Sequence, residues 1–293
     1  MPIAVDHVVK VQNQLGECPL WHPRHNCLYW VDIDRALFYR YQPKTGALVE
    51  NRLEMPIYAL ALDARHGLVA GTHEGFVFYD PDSNSFEHIA EVISGEPERR
   101  FNDGAVDRYG RFWAGTLDRQ RTPTNHLYRL GTDLSVRTMD SGIIQSNGID
   151  WSPDWRTMYL TDTRRRSIYA YDFNLAQGEI TNRRVLIKTP DDPAQGSPDG
   201  LVVDAEGFIW SARFRGWKLV RYDPAGKIER EIHLPVQRPS SMIFGGENLD
   251  ELYITTSSIE IPPESLKDHP MAGGVLRIYP GVKGKQPAFF GKR

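Results

Sequence analysis

LYWVD, residues 28–32, is a run of strand-forming residues that ends in a carboxylate. Aromatic and β-branched side chains suit a pleated, half-buried strand. Runs of the same kind recur as LVAGT from 68, FWAGT from 112, MYLTD from 158, FIWSA from 208 and LYITT from 252, in steps of 40, 44, 46, 50 and 44 residues. Self-similarity at such a period is the mark of a repeat architecture.

Reading outward from each run supplies further strands. Most are followed after about 5 to 10 residues by a second run that closes on a turn: FYRYQPKTG, FVFYDPDSN, LYRLGTD, IYAYDFN, LVRYDPAG and LRIYPG. Each is preceded by a short apolar strand, in CPLW, ALALD, GAVD, GIDW, GLVVD and SMIF. Three strands per unit are visible, a fourth fits between units, and no long segment sustains a helical apolar stripe. Six units of four strands predict an all-β, six-bladed β-propeller with four-stranded antiparallel blades, as a single domain over residues 1–293. The leading segment VDHVVKVQ is expected to close the repeat by joining the last blade. A β-sandwich or a β-helix has the wrong period, and the WD40 and kelch markers are absent.

Composition narrows the function classes. The 293 residues are 40% hydrophobic and 25% charged with a net charge of -3, so no basic footprint calls for nucleic acid or an anionic membrane. No run reaches the roughly 18 apolar residues of a membrane span. The start MPIAVDHVVK lacks a signal-peptide pattern, so a cytoplasmic location is expected. Cys18 and Cys27 are the only two cysteines and form no CxxC, which makes buried free thiols the expectation over a disulfide. A monomer or a weak homo-oligomer is expected.

The repeat also gives a register to the polar residues. Counting back from the aligned runs, Glu17 lies 11 residues before Leu28, Asn102 lies 10 before Phe112, Asn147 lies 11 before Met158 and Asp199 lies 9 before Phe208. In the other two units the corresponding places are about Tyr58 and Ser241. Each of the four opens an inner strand in a similar context: ECP, NDG, NGI and PDG. Asn and Asp are common at turns for local reasons, but four oxygen donors at one register point to a shared site at one mouth of the propeller channel. Such donors suit one hard divalent cation, Ca²⁺, Mg²⁺ or Mn²⁺, with Zn²⁺ or Fe²⁺ if fewer protein ligands are used. The histidines offer no competing motif, and HPRH at 22–25 reads as a turn.

Longer stretches carry a resemblance. LGECPLW, RFNDGAVDRYGRFWAGT, SNGIDWSPD, SPDGLVVDAEGFIW and FGG…LYITT…HPMAGGVLRI are similar to the SMP-30/gluconolactonase/regucalcin-like family over essentially the whole chain. The resemblance implies a propeller that binds one divalent metal and hydrolyses sugar-acid lactones, such as glucono-, xylono-, arabinono- or galactonolactone. It implies Glu17, Asn147 and Asp199 as metal ligands and Arg100 and Asn102 as substrate-binding residues. Asp103 is a further candidate for positioning water or substrate. Where some members of the family carry a glutamate after AGT, this chain reads AGTLDRQRTPTNH, leaving Asp118, Arg119 or Gln120 as replacements. Asp199 is the candidate catalytic residue, taking a proton from the attacking water and returning it to the ring oxygen, with water deprotonated by the metal as the alternative. A Ca²⁺-binding regulatory protein and a propeller esterase or phosphotriesterase are the competing functions. Trp21, Trp151, Trp217 and Tyr58 are open to two readings, as walls for a sugar ring or as packing.

Overall fold

The structure is a computed structural model that describes residues 3–65 and 67–291. The outer ends of the expected domain, residues 1–2 and 292–293, lie outside these. Six four-stranded antiparallel sheets follow one another along the chain, the fold of a six-bladed β-propeller. The blades span residues 16–52, 59–91, 99–143, 146–188, 197–233 and 239–278. The sixth has only three strands of its own and takes its fourth from Asp6–Val9, which pairs antiparallel with Val275–Ile278. Closure by the leading segment is thus as expected from the sequence.

The blades fall into two compact units. One holds blades one, five and six (residues up to 52 and 189–287), the other blades two, three and four (residues 53–188 and from 288). In the first unit, Trp21 stacks on Tyr253 with ring centroids 5.6 Å apart, packing blade one on blade six. In the second, Trp113 and Trp151 meet edge to face at 6.2 Å in a fully buried cluster between blades three and four. Trp21 and Trp151 are therefore packing residues, and Trp217 is exposed.

Blades three and five show why the repeat folds as it does. Both carry Asp-x-x-Gly-x-x-Trp, as VDRYGRFW and VDAEGFIW. Gly110 and Gly207 adopt φ of +77° and +88°, a left-handed turn that glycine enters without steric cost. Asp107 accepts the N–H groups of Tyr109 and Arg111 across that turn and the indole N–H of Trp113 at 2.9 Å. Asp204 does the same for Glu206, Phe208 and Trp210, again at 2.9 Å from the indole. One carboxylate thus shapes the hairpin and satisfies the only polar atom of a buried tryptophan side chain.

A second use of aspartate explains the ends of LYWVD and MYLTD. Asp32 and Asp162 are fully buried. Asp32 accepts the backbone N–H groups of Gln14 and Leu15, and Asp162 those of Ile144 and Gln145. Each carboxylate therefore holds the chain where it enters its own blade's inner strand.

Among the described residues no helix is long and apolar enough to cross a membrane. Cys18 and Cys27 are buried free thiols.

Candidate functional site

The inner strands run Gly16–His22, Ala59–Leu62, Arg99–Val106, Ser146–Trp151, Ser197–Val203 and Pro239–Gly245. Five of the six break register near their start. In blade four, Asn147 and Gly148 together oppose Thr161; in blade five, Asp199 and Gly200 oppose Ala212. In blade one the bulge is Cys18 and Pro19, directly after Glu17. In blade three the extra residue is Asn102. A bulge leaves its residues outside the ladder and re-aims their side chains, and bulges are over-represented beside active sites. The candidates expected at one register therefore share a local backbone device.

In blade five that device needs a glycine, and in blade one it carries a left-handed backbone. A Cβ on Gly200 would lie 2.3 Å from Ser241 Oγ, so the inner strands of blades five and six approach closely because position 200 is glycine. Cys18 adopts φ of +52° although it is not glycine, and its N–H donates to Glu17 Oε2 at 3.4 Å. Non-glycine residues in this region cost about 1 to 3 kcal/mol and cluster at functional sites.

In the first unit Asp199 lies in a bulge and Glu17 directly before one; both carboxylates are buried, on inner strands that both pack against that of blade six. Blade six has its own bulge at Ser240, whose hydroxyl donates to Gly16 O and shares a hydrogen bond with Thr255. The register count had pointed to Ser241. Ser240 is its immediate neighbour and, like the bulges of the other blades, amounts to one extra residue in the ladder.

In the second unit the candidates are connected. Asn102 donates from Nδ2 to Ser146 O at 2.7 Å, tying blade three to the residue before Asn147. Arg100 donates to Asn102 Oδ1 and Phe101 O, both at 2.8 Å, and its guanidinium lies 4.5 Å from the ring centroid of Tyr58. Tyr58 opens blade two, its N–H donating to Gly71 O at 2.9 Å. A planar cation between a tyrosine face and an amide oxygen keeps a fixed orientation at low entropic cost. Asn147 donates from Nδ2 to Thr163 Oγ1 at 3.1 Å, which identifies Oδ1 as the end of the amide suited to a cation.

Asp103, next to Asn102, is partly exposed. Burial of its carboxyl pushes the pKa up to about 7, against the Gly104 N–H that donates to it at 2.7 Å. It is thus a carboxyl able to exchange protons near neutrality.

Asp118 is engaged within its own loop. Its carboxylate accepts the Thr122 N–H at 3.1 Å and hydroxyl at 2.7 Å, the Thr124 hydroxyl at 3.1 Å and the Asn125 amide at 3.1 Å. Burial opposes its ionisation, but the Thr122 and Thr124 hydrogen bonds outweigh it and hold the pKa below the usual carboxylate range. Arg119 and Gln120, the alternative replacements for the family glutamate, are exposed.

Glu17, Asn147 and Asp199 are buried oxygen donors, two of them carboxylates, and that chemistry fits a hard divalent cation. Among the described residues no group of three or more His, Cys, Asp or Glu is assembled; the expected set has two carboxylates and an amide. His22 and His25 stack at 3.8 Å in the HPRH turn, where burial and then the neighbouring His25 lower the His22 pKa to about 4.

A model of the SMP-30/Gluconolactonase/LRE-like region matches residues 15–258. The chain belongs to this family. Relatives of the family chain include a regucalcin of Oryctolagus cuniculus, 34% identical over 97% of both chains. A 6-deoxy-6-sulfogluconolactonase of Pseudomonas putida is 35% identical, covering 97% of this chain and 98% of that protein. Among solved structures, a luciferin-regenerating enzyme superposes with a TM-score of 0.90 at 27% identity, covering 98% of this chain and 99% of that one. Residues 15–258 include every candidate named above.

Proposed function

We propose that this SMP-30/gluconolactonase family chain hydrolyses the lactones of sugar acids to the open acids, using one divalent cation held by Glu17, Asn147 and Asp199. The observation that carries the reading is the bulged start of the inner strands, which lifts Asn102, Asn147 and Asp199 out of the ladder. The lactonase relative of Pseudomonas putida supports the reaction class.

A divalent cation, when bound, polarises a carbonyl and acidifies water. Asp199 takes a proton from the attacking water and returns it to the ring oxygen as the ester bond opens. A carboxylate beside a cation is a weaker base than a free one, which the acidification of water by the cation would offset. Arg100 binds substrate oxygens through its guanidinium, held in place by Tyr58 and Asn102. Asn102 itself is fixed by Ser146 O. Glucono-, xylono-, arabinono- and galactonolactone are the substrates of choice. One domain over residues 1–293, a cytoplasmic location and a monomeric or weakly associating state complete the proposal.

The test is acid release from a panel of γ- and δ-aldonolactones, with and without chelator, beside metal analysis of the purified protein. Chelator-sensitive hydrolysis that a divalent metal restores is the expected result. Metal binding without acceleration on any lactone would instead favour a Ca²⁺-binding regulatory role, in keeping with the relatives named regucalcin.

A further inference from the structure

The strand Arg99–Val106 begins with two consecutive arginines, whose side chains leave opposite faces. Arg100 belongs to the candidate site. Arg99 does not: it pairs across the sheet with Asp118 and lies where two loops, residues 93–98 and 119–125, leave the same end of the blade.

Arg99 connects those loops. Its Nη1 lies 2.5 Å from Glu96 and its Nη2 donates to Thr124 Oγ1 at 3.0 Å. Thr124 in turn shares a hydrogen bond with Thr122 and donates to Asp118. The backbone adds one link, Arg119 N–H to Glu98 O at 3.0 Å. The Arg99 side chain is only 12% exposed, but Glu96 is half exposed and the bond to Thr124 is itself exposed, so solvent screens both.

Between the loops is a cavity of about 210 Å³ lined by Glu96, Glu98, Arg99, Gln120, Thr122 and Thr124. Apart from Pro97, these loops meet the cavity with polar side chains. Directional bonds contribute to their relative position, and Arg99 supplies a side-chain bridge between them.

We infer that Arg99 is a positioning residue: it clasps loop 119–125 to the start of the strand that carries Arg100, and so sets how tightly polyhydroxylated lactones bind. The inference rests on the lactonase reading. Because Arg99 and Arg100 are adjacent on one strand, releasing the clasp loosens both the loop and the backbone from which Arg100 projects. Such a change weakens substrate and transition state alike, raising KM with little change in kcat.

The test compares Arg99→Met and Thr124→Val, which break the bridge from opposite ends, and their double variant. Hydrogen exchange of residues 119–125 is read together with KM and kcat on glucono-1,5-lactone and on δ-valerolactone, which lacks the ring hydroxyls. The expected result is faster exchange in both single variants and a KM for gluconolactone raised about threefold, the order of one solvent-screened ionic bond. Values for δ-valerolactone should stay unchanged, and the loss in the double variant should be smaller than the sum of the two single losses, as for groups that share one link. Unchanged exchange in both variants overturns the clasp. Faster exchange with equal losses on both lactones overturns its role in substrate binding. A wild-type protein inert on every lactone overturns the lactonase reading instead, and the exchange data still decide whether the clasp exists.

Discussion

Asp162 accepts the backbone N–H of Gln145 at 3.2 Å, two residues before Asn147. The carboxylate comes from the second strand of the same blade and also accepts the Ile144 N–H and a bond from Arg165. Asp32 repeats the arrangement ahead of Glu17. Asp162→Ala leaves two backbone donors without their acceptor and should lower stability by about 2 to 3 kcal/mol. Urea unfolding checks this, and an unchanged midpoint would show that water replaces the carboxylate at no cost.

Asp204 should matter more. It accepts the indole of Trp210 and two bonds from Arg221, which is 2% exposed. Asp204→Ala strips a buried guanidinium of a close carboxylate, a change worth about 3 to 5 kcal/mol. Glu206 and Glu229 also face Arg221 and moderate the loss. Trp210→Phe removes only the indole bond and some volume, so its denaturation midpoint should fall less than that of Asp204→Ala.

Asp103 predicts a pH dependence. Its folded pKa, about 7, lies above the ordinary carboxyl value near 3.8, so the folded state holds this proton more tightly. The contribution to stability is full below the unfolded pKa and is lost as pH rises from about 4 to 7. Asp103→Asn should flatten that decline in urea midpoints measured across the window. NMR titration of the wild-type carboxyl should show a midpoint near neutrality; a midpoint near 4 would refute the premise.

Asp199→Asn keeps the size of the side chain and an oxygen donor but removes the proton acceptor. Turnover of lactones should fall at least about a hundredfold, the lower range for a general base, while circular dichroism stays that of the wild type. Near-normal kcat would remove Asp199 from its proposed role.

Arg100→Lys keeps the charge and loses the planar fork on Tyr58 and Asn102. KM should rise about tenfold with kcat within a few-fold, the pattern of lost uniform binding. Steady-state kinetics decide it, and a fall confined to kcat would assign Arg100 to the transition state instead.

The sequence by itself determined the six-bladed architecture, the closing strand and the places where polar residues open the inner strands. These depend on local pattern: alternation, turn residues and a repeat of about 40 to 50 residues, visible in any one unit and strengthened by the others. It also exposed the Asp that ends LYWVD and MYLTD, without revealing its use. Tertiary structure alone decided that Asp32 and Asp162 hold the chain ahead of Glu17 and Asn147, because side-chain to backbone bonds reach across 17 or 18 residues. It decided the bulges for the same reason. Whether Asn102, Asn147 and Asp199 stand inside or outside the ladder is set by the pairing strand. The partners of Arg100 and the commitment of Asp118 to its own loop were likewise beyond the sequence, since each follows from which groups the folded blades bring within hydrogen-bond reach.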